Sequence, residues 1–235
     1  MLGEIGRVLG IPAESFDPEQ ATIEDFVRDA SSMTPPGAKL LDAGAGDAPY
    51  RKYFSHTDYV AVDDASTPYH AFGSLDVVCD LTQLPMASEL FDTILCTQVL
   101  EHVPNPQLVL AEFVRVLKPG GRLFLTVPQS WEIHEAPRDY FRFTRYGLEM
   151  ILRGAGFEEL SIVPRGGYFY FLAERVRHLP RYVKRERLWA IPLAHKTLTV
   201  LCTRVLPRVL AAMDKRDTLK RETLGYGCIA VKPKI

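Results

Sequence analysis

The feature that most constrains the fold is a repeated form, a short apolar run that ends at an acid, a threonine or a proline. It appears as "AKLLDA" (Ala38 to Ala43), "YVAVDD" (Tyr59 to Asp64), "LDVVCD" (Leu75 to Asp80), "FDTILCT" (Phe91 to Thr97) and "GRLFLTVP" (Gly121 to Pro128). Compact runs of Val, Ile, Leu and Phe suit strands buried on both faces of a parallel sheet. "FEELSIVP" and the late "GYGCIAVKP" add two more strands. The expected architecture is α/β: a doubly wound, mostly parallel seven-stranded sheet with helices on both faces.

Helical signals fill the gaps. Thr22 with Asp25 reads as a capping box opening "TIEDFVRDASSM", and "TPPG" ends it. In "PNPQLVLAEFVRVLKPGG", Leu108, Ala111, Val114 and Leu117 fall on one face and "KPGG" supplies the stop. Thr144 caps "RYGLEMILRGAG", with Gly156 as its terminal glycine.

At 235 residues and 47% hydrophobic content, the chain can bury one substantial core. The net charge of −1 conceals an asymmetry: Glu174 to Glu222 holds 13 basic and 5 acidic residues, a net of +8, which leaves −9 elsewhere. The expected domains are a core over 1–168, a basic helical insertion over 169–222 and the last core strand over 223–235. Within the insertion Leu198, Leu201, Val205, Val209 and Met213 recur at helical spacing, widened by Leu206 and Leu210, and Pro207 kinks or splits that helix.

Three readings compete for the insertion: a cover over the substrate site, a homodimer contact, or a peripheral membrane patch through 175–213. Nucleic acid is disfavoured, because the body is acidic and the basic residues do not alternate with aromatics. Cys79, Cys96, Cys202 and Cys228 lack the short paired spacing of a zinc or dithiol site. "MLGEIGRVLG" has no apolar core long enough for a signal peptide. A cytoplasmic protein, in membrane-peripheral contact on the third reading, is expected.

In an open parallel sheet the ligand sits beyond the carboxyl ends of the strands. There the sequence places Asp42, Gly44, Ala45 and Gly46, then Asp63 and Asp64, then Asp80 and Leu81, then Thr97, Gln98, Glu101 and His102. A dinucleotide fingerprint requires G-x-G-x-x-G, and its third glycine is here Pro49. Carboxylates at the second and third strand ends can accept ribose hydroxyls and an exocyclic amine, and they repel a pyrophosphate. The glycine loop thus suits a cationic nucleoside.

Taken in order, "LLDAGAGDAPY", "YVAVDD", "VVCDLTQLPMASELFDTILCTQVLEHVPNP", "RVLKPGGRLFLTVP" and "GLEMILRGAGF" resemble the class I, Rossmann-like S-adenosylmethionine-dependent methyltransferases. The resemblance runs from about residue 38 to 165 and includes the last strand. It implies that Asp42, Gly44, Ala45 and Gly46 form the S-adenosyl-L-methionine loop, that Asp63 and Asp64 serve the ribose, and that Asp80 and Leu81 serve the adenine. Thr97 and Gln98 would lie beside the methionine portion, and His102 toward the substrate. Ala48 stands where the family usually has a further glycine.

The segment "VPQSWEIHEAPRDYFRFTRYG" follows the fifth strand and arches over the cofactor in this reading. His134 is the candidate general base, with Asp139 as an alternative base or as a group orienting the imidazole. Tyr140 and Arg142 are substrate contacts; Arg142 and Arg145 can equally pair with Asp139 or Glu135. The Glu101-His102 pair alone does not make a metal site, having no second cluster at ligand spacing, so no metal is expected. The "HE-P-DYFRFT" loop resembles a subset of these methyltransferases often associated with glycan or secondary-metabolite pathways. A methyltransferase acting on a sugar, glycan or other small-molecule hydroxyl is therefore expected. The rivals are a nicotinamide-dependent dehydrogenase, a non-catalytic nucleoside-binding protein and a membrane-peripheral protein.

Overall fold

A computed structural model describes residues 14–66, 73–183 and 192–234. The first ten residues and Lys184, Arg185 and Arg187 of the basic run lie outside them. Two compact units emerge: residues 23–163 with 225–235, and the segment up to residue 22 with 164–224.

The larger unit carries a seven-stranded sheet of order β3-β2-β1-β4-β5-β7-β6. Its strands are β1 (Lys39–Ala43), β2 (Asp58–Asp63), β3 (Val77–Val78), β4 (Phe91–Thr97), β5 (Leu117–Pro128), β6 (Glu158–Arg165) and β7 (Gly225–Val231). Strands β1 to β5 pair in parallel, whereas β7 runs antiparallel to β5. Helices α1 (Pro18–Met33), α2 (Pro106–Val116) and α3 (Arg145–Gly154) accompany them.

Strand alternation sorts the apolar side chains onto two faces. Leu40, Leu95 and Phe124 join Ile23, Phe26, Val27 and Ala30 of α1 in one buried cluster. Leu41, Ile94, Cys96 and Leu123 join Val109, Leu110 and Phe113 of α2 and Leu148 and Leu152 of α3 in the other. The sheet is thus covered on both sides, with its switch point between β1 and β4.

Several boundaries differ from expectation. Helix α1 starts at Pro18, because the Asp17 carboxylate accepts from the Gln20 N–H at 3.0 Å and Pro18 fits the first helical position. Thr22 lies inside the helix and donates its hydroxyl to the Glu19 carbonyl at 2.9 Å. Helix α2 buries Pro106, Val109, Leu110, Phe113 and Val116, while Leu108 is 54% exposed. A spacing of three residues drifts around a 3.6-residue helix, so the 108/111/114 row does not track the core face. Strand β3 shrinks to two residues at the sheet edge, with Val78 exposed. The glycine turn at 119–121 belongs to β5, because Gly120 N–H donates to Lys232 O and Lys232 N–H to Gly121 O, both at 2.9 Å. Thr144 caps α3 as expected, accepting from Gly147 N–H at 3.1 Å.

The smaller unit contains α4 (Tyr168–Tyr182), α5 (Pro192–Val200), a π-helical turn (Leu201–Val205) and α6 (Leu206–Met213). Pro207 stands at the start of α6, where the long helix divides. The Asp214 carboxylate accepts from Gly167 N–H at 3.0 Å and Tyr170 N–H at 3.2 Å, capping α4. Two arginines of the unit are paired with acids: Arg165 with Glu19 at 2.6 Å, and Arg177 with Asp17 at 2.7 Å and Glu174 at 3.0 Å. In the expected apolar stripe, Leu201 and Val209 are exposed. Among the described residues no helix is long and apolar enough to cross a membrane.

Candidate functional site

A cavity of about 460 Å³ opens at the carboxyl ends of β1, β2 and β4, in the range typical of small-molecule sites. Its floor is the loop after β1. Gly44 and Ala45 N–H groups donate to the Val62 carbonyl at 2.9 and 3.0 Å, and Gly46 N–H donates to Asp63 Oδ2 at 3.0 Å. Gly44 sits at φ +77°, and a Cβ there would stand 2.3 Å from Val99 Cγ2, so both conformation and space exclude a side chain. Ala48 takes φ +52° and keeps the turn closed, its N–H donating to Ala45 O at 2.8 Å. Past Pro49 only a three-residue 3-10 turn, Arg51–Tyr53, follows. No long helix points its N-terminus at the loop from there, as a pyrophosphate site would need.

The strand-end acids separate into different environments. Asp63, Asp64 and Asp80 line the cavity. Asp63 accepts one bond at each oxygen, from Gly46 N–H and from Ala65 N–H at 2.9 Å, which leaves lone-pair capacity for a ligand. Asp80 uses Oδ1 for the Thr82 N–H and hydroxyl, both at 2.8 Å. Asp64 lies beyond the last residue of β2, so strand alternation no longer turns it away from Asp63. Asp42 does not line the cavity: it is buried beneath the loop and accepts the Tyr59 hydroxyl, and burial pushes its carboxyl up to about 7.

Leu81 and Gln98 line the cavity, whereas Ala45 and Thr97 do not. Gln98 holds φ +55° although it is not glycine, a conformation fixed by two bonds to Thr126: N–H to the carbonyl and Nε2 to the hydroxyl, each 3.0 Å.

The loop after β5 folds over the 3-10 turn Leu100–His102. Tyr140 and Phe141 N–H groups both donate to the Glu101 carbonyl, at 2.8 and 3.2 Å. His102 Nδ1 lies 2.5 Å from the Arg138 carbonyl, and the Arg138 guanidinium reaches Asp64 Oδ2 at 3.0 Å and the Ser66 hydroxyl. Arg138 therefore connects the β5 loop to the β2 end across the cavity mouth.

Behind it, Arg142 grips both oxygens of Asp139 at 2.6 and 2.9 Å and donates to Glu132 O at 2.8 Å. This fork draws the Asp139 carboxyl down to about 2, and Asp139 Oδ2 also accepts His134 N–H at 3.0 Å. The His134 imidazole meets His102 edge-on, with ring centroids 4.6 Å apart. Burial, and next the neighbouring His102, lower its basicity below the ordinary histidine value. His102 and Tyr140 line the cavity; His134, Asp139 and Arg142 do not. Of the salt-bridge alternatives for Arg142, Asp139 is the partner found.

Sequence reading missed Val99, Asn105, Leu108 and Arg138 as cavity-lining residues. Leu108 is recoverable in retrospect from the i, i+3, i+4 row of Pro106, Val109 and Leu110, which leaves it facing elsewhere. Arg138 carries no local signal, because its partner Asp64 lies 74 positions away.

A methyltransferase-domain family model matches residues 41–125, from β1 to β5. An uncharacterized methyltransferase of Mycobacterium sp. (strain JLS) is 33% identical over 117 residues, 47% of this chain and 46% of that protein. The ubiquinone biosynthesis O-methyltransferase of Dechloromonas aromatica (strain RCB) is 32% identical over 98 residues, 42% of this chain and 36% of its own length. The chain thus spans less than half the length of these curated relatives. Among solved structures, Haemonchus contortus phosphoethanolamine N-methyltransferase 2 in complex with S-adenosyl-L-methionine superposes with a TM-score of 0.56 at 17% identity, covering 89% of this chain and 52% of that one. Residues 41–125 therefore carry a methyltransferase-domain sequence within a Rossmann-like methyltransferase fold.

Proposed function

We propose that this chain is an S-adenosylmethionine-dependent methyltransferase that methylates a hydroxyl of a small polar acceptor, of the sugar or glycan-intermediate class. The observation that carries the reading is the cavity at the switch point, where a glycine loop meets Asp63 and Asp80. Its donor set fits the cofactor: carboxylates for ribose hydroxyls and an adenine amine, and negative charge facing a sulfonium and an ammonium. A dehydrogenase is disfavoured by the same acids and because, among the described residues, no long helix lies between Pro49 and β2.

When bound, S-adenosylmethionine supplies a methyl group activated by a cationic sulfur. The protein's own part is to hold and align. Gly44 and Gly46 allow close approach of the backbone, Asp63 holds the ribose, Asp80 and Leu81 hold the adenine, and Gln98 borders the methionine portion. His102 and Tyr140 contact the acceptor. Were the methyl group to pass from the sulfonium, which would leave as the thioether of S-adenosylhomocysteine, the hydroxyl proton would pass to the imidazole of His134. Asp139, already held by Arg142, orients that ring through its backbone N–H and serves as a positioning residue. The half-exposed rings of Tyr140 and Phe141 offer flat apolar faces with a polar tip, which supports a sugar-like acceptor.

Calorimetry of the purified chain with S-adenosylmethionine, S-adenosylhomocysteine and NAD tests the reading. Binding of the first two is expected; binding of NAD alone overturns it.

A further inference from the structure

Glu101, His102 and His134 converge, each offering a ligand atom within 4.8 Å of the others. They come from two segments, the 3-10 turn after β4 and the loop after β5, joined by the bonds from Tyr140 and Phe141 N–H to the Glu101 carbonyl. The Glu101 side chain is fully buried, and His102 Nε2 lies 3.9 Å from its Oε1.

The hydrogen bonds of the two imidazoles fix which nitrogen is free to ligate. His102 Nδ1 lies 2.5 Å from the Arg138 carbonyl, and His134 Nδ1 lies 3.2 Å from the Glu132 carbonyl. A carbonyl only accepts, so each Nδ1 carries the proton and each neutral ring keeps its lone pair on Nε2. This is the outer-shell arrangement that orients metal-bound histidines. The Arg142 guanidinium stands 3.5 Å from His134 Nδ1, its charge balanced by Asp139.

From this geometry we infer that Glu101, His102 and His134 form a binding site for a divalent first-row transition-metal ion at the wall of the cofactor cavity. Two imidazoles and one carboxylate suit such an ion better than magnesium, which prefers an all-oxygen shell. Tetrahedral ligands at about 2.1 Å from zinc stand about 3.4 Å apart, so the three atoms need only modest side-chain rotation to close on an ion. A dication also offsets the cost of a buried Glu101 carboxylate. Three protein ligands leave a position open. Because His102 lines the cavity, that position is available to the acceptor hydroxyl, an assignment that rests on the proposed methyltransferase reading. The ion then polarises the acceptor oxygen in place of a histidine base: with Nε2 given to the ion and Nδ1–H on the Glu132 carbonyl, His134 takes no proton in the metal-bound form, and the acceptor proton passes to solvent.

The test uses untagged full-length chain, stripped with a chelator and titrated with Co²⁺ while its visible absorption is recorded. One ion per chain is expected, with affinity reduced about tenfold or more in His134→Ala and in Glu101→Gln and unchanged in His56→Ala. Far-ultraviolet circular dichroism verifies that the variants fold; if Glu101→Gln does not, partly exposed His134 alone decides. Equal Co²⁺ affinity in the parent chain and His134→Ala overturns the inference. Cofactor calorimetry in chelator separates the two readings: S-adenosylmethionine binding without Co²⁺ binding sinks only the metal site, and the converse sinks only the methyltransferase.

Discussion

The Tyr59 hydroxyl donates to the buried carboxylate of Asp42, joining the end of β1 to β2 beneath the cavity loop. Burial raises the Asp42 carboxyl from 3.8 to about 7, so the folded chain keeps a proton that the unfolded chain has released. Its stabilising contribution is complete below about pH 4 and disappears as pH rises through about 7. Glu174 in the smaller unit is pushed the same way, also to about 7, so the slope has two sources. Urea unfolding at pH 5 and pH 8 is expected to show a less stable protein at pH 8. Asp42→Asn reduces that difference by up to about 2–3 kcal/mol.

Gly44→Ala places a methyl group against Val99 at φ +77°. A loss of at least about 1–2 kcal/mol is expected from the left-handed conformation alone, with further loss from the contact. Pairing it with Val99→Ala returns the steric part and leaves the conformational part. Thermal unfolding of the single and double variants measures the division.

Asp63 and Asp80 are expected to account for much of the cofactor's affinity. Asp80→Ala weakens S-adenosylmethionine binding about 10- to 100-fold, the value of a charge-assisted hydrogen bond. Asp63→Ala weakens it at least as much, because Gly46 N–H also loses its acceptor. Calorimetry reads both, and unchanged affinity in either removes that residue from the site.

His134→Ala lowers kcat about 10²- to 10⁴-fold, with cofactor affinity retained. Since burial and His102 depress its basicity, the acid limb of kcat/KM falls below pH 6.5. Arg142→Lys replaces a two-pronged grip with a point charge, and a displaced loop costs about 10- to 100-fold in kcat. Neither residue lines the cofactor cavity, so a parallel loss of cofactor binding would refute this separation of roles.

The strands and their cavity-lining ends were legible because apolar runs bounded by acids and glycines report local geometry. Gly44, Gly46, Asp63, Asp80 and Gln98 emerged from that pattern alone. Asp42 misled, since an acid at a strand end looks the same whether it faces a ligand or Tyr59. Helix α1 started four residues early because Asp17-Pro18 outcompeted the Thr22 box. The meeting of His134 with Glu101 and His102 was invisible, because it depends on how two distant loops dock.

Strand β7 lies between β5 and β6, yet it is the last of the seven in chain order. During synthesis β6 has no strand to join until everything between Arg165 and Gly225 has emerged from the ribosome. The sheet is therefore completed by a late insertion that seals two waiting edges at once, and a nascent chain paused before Gly225 would present both edges to chaperones or to other chains.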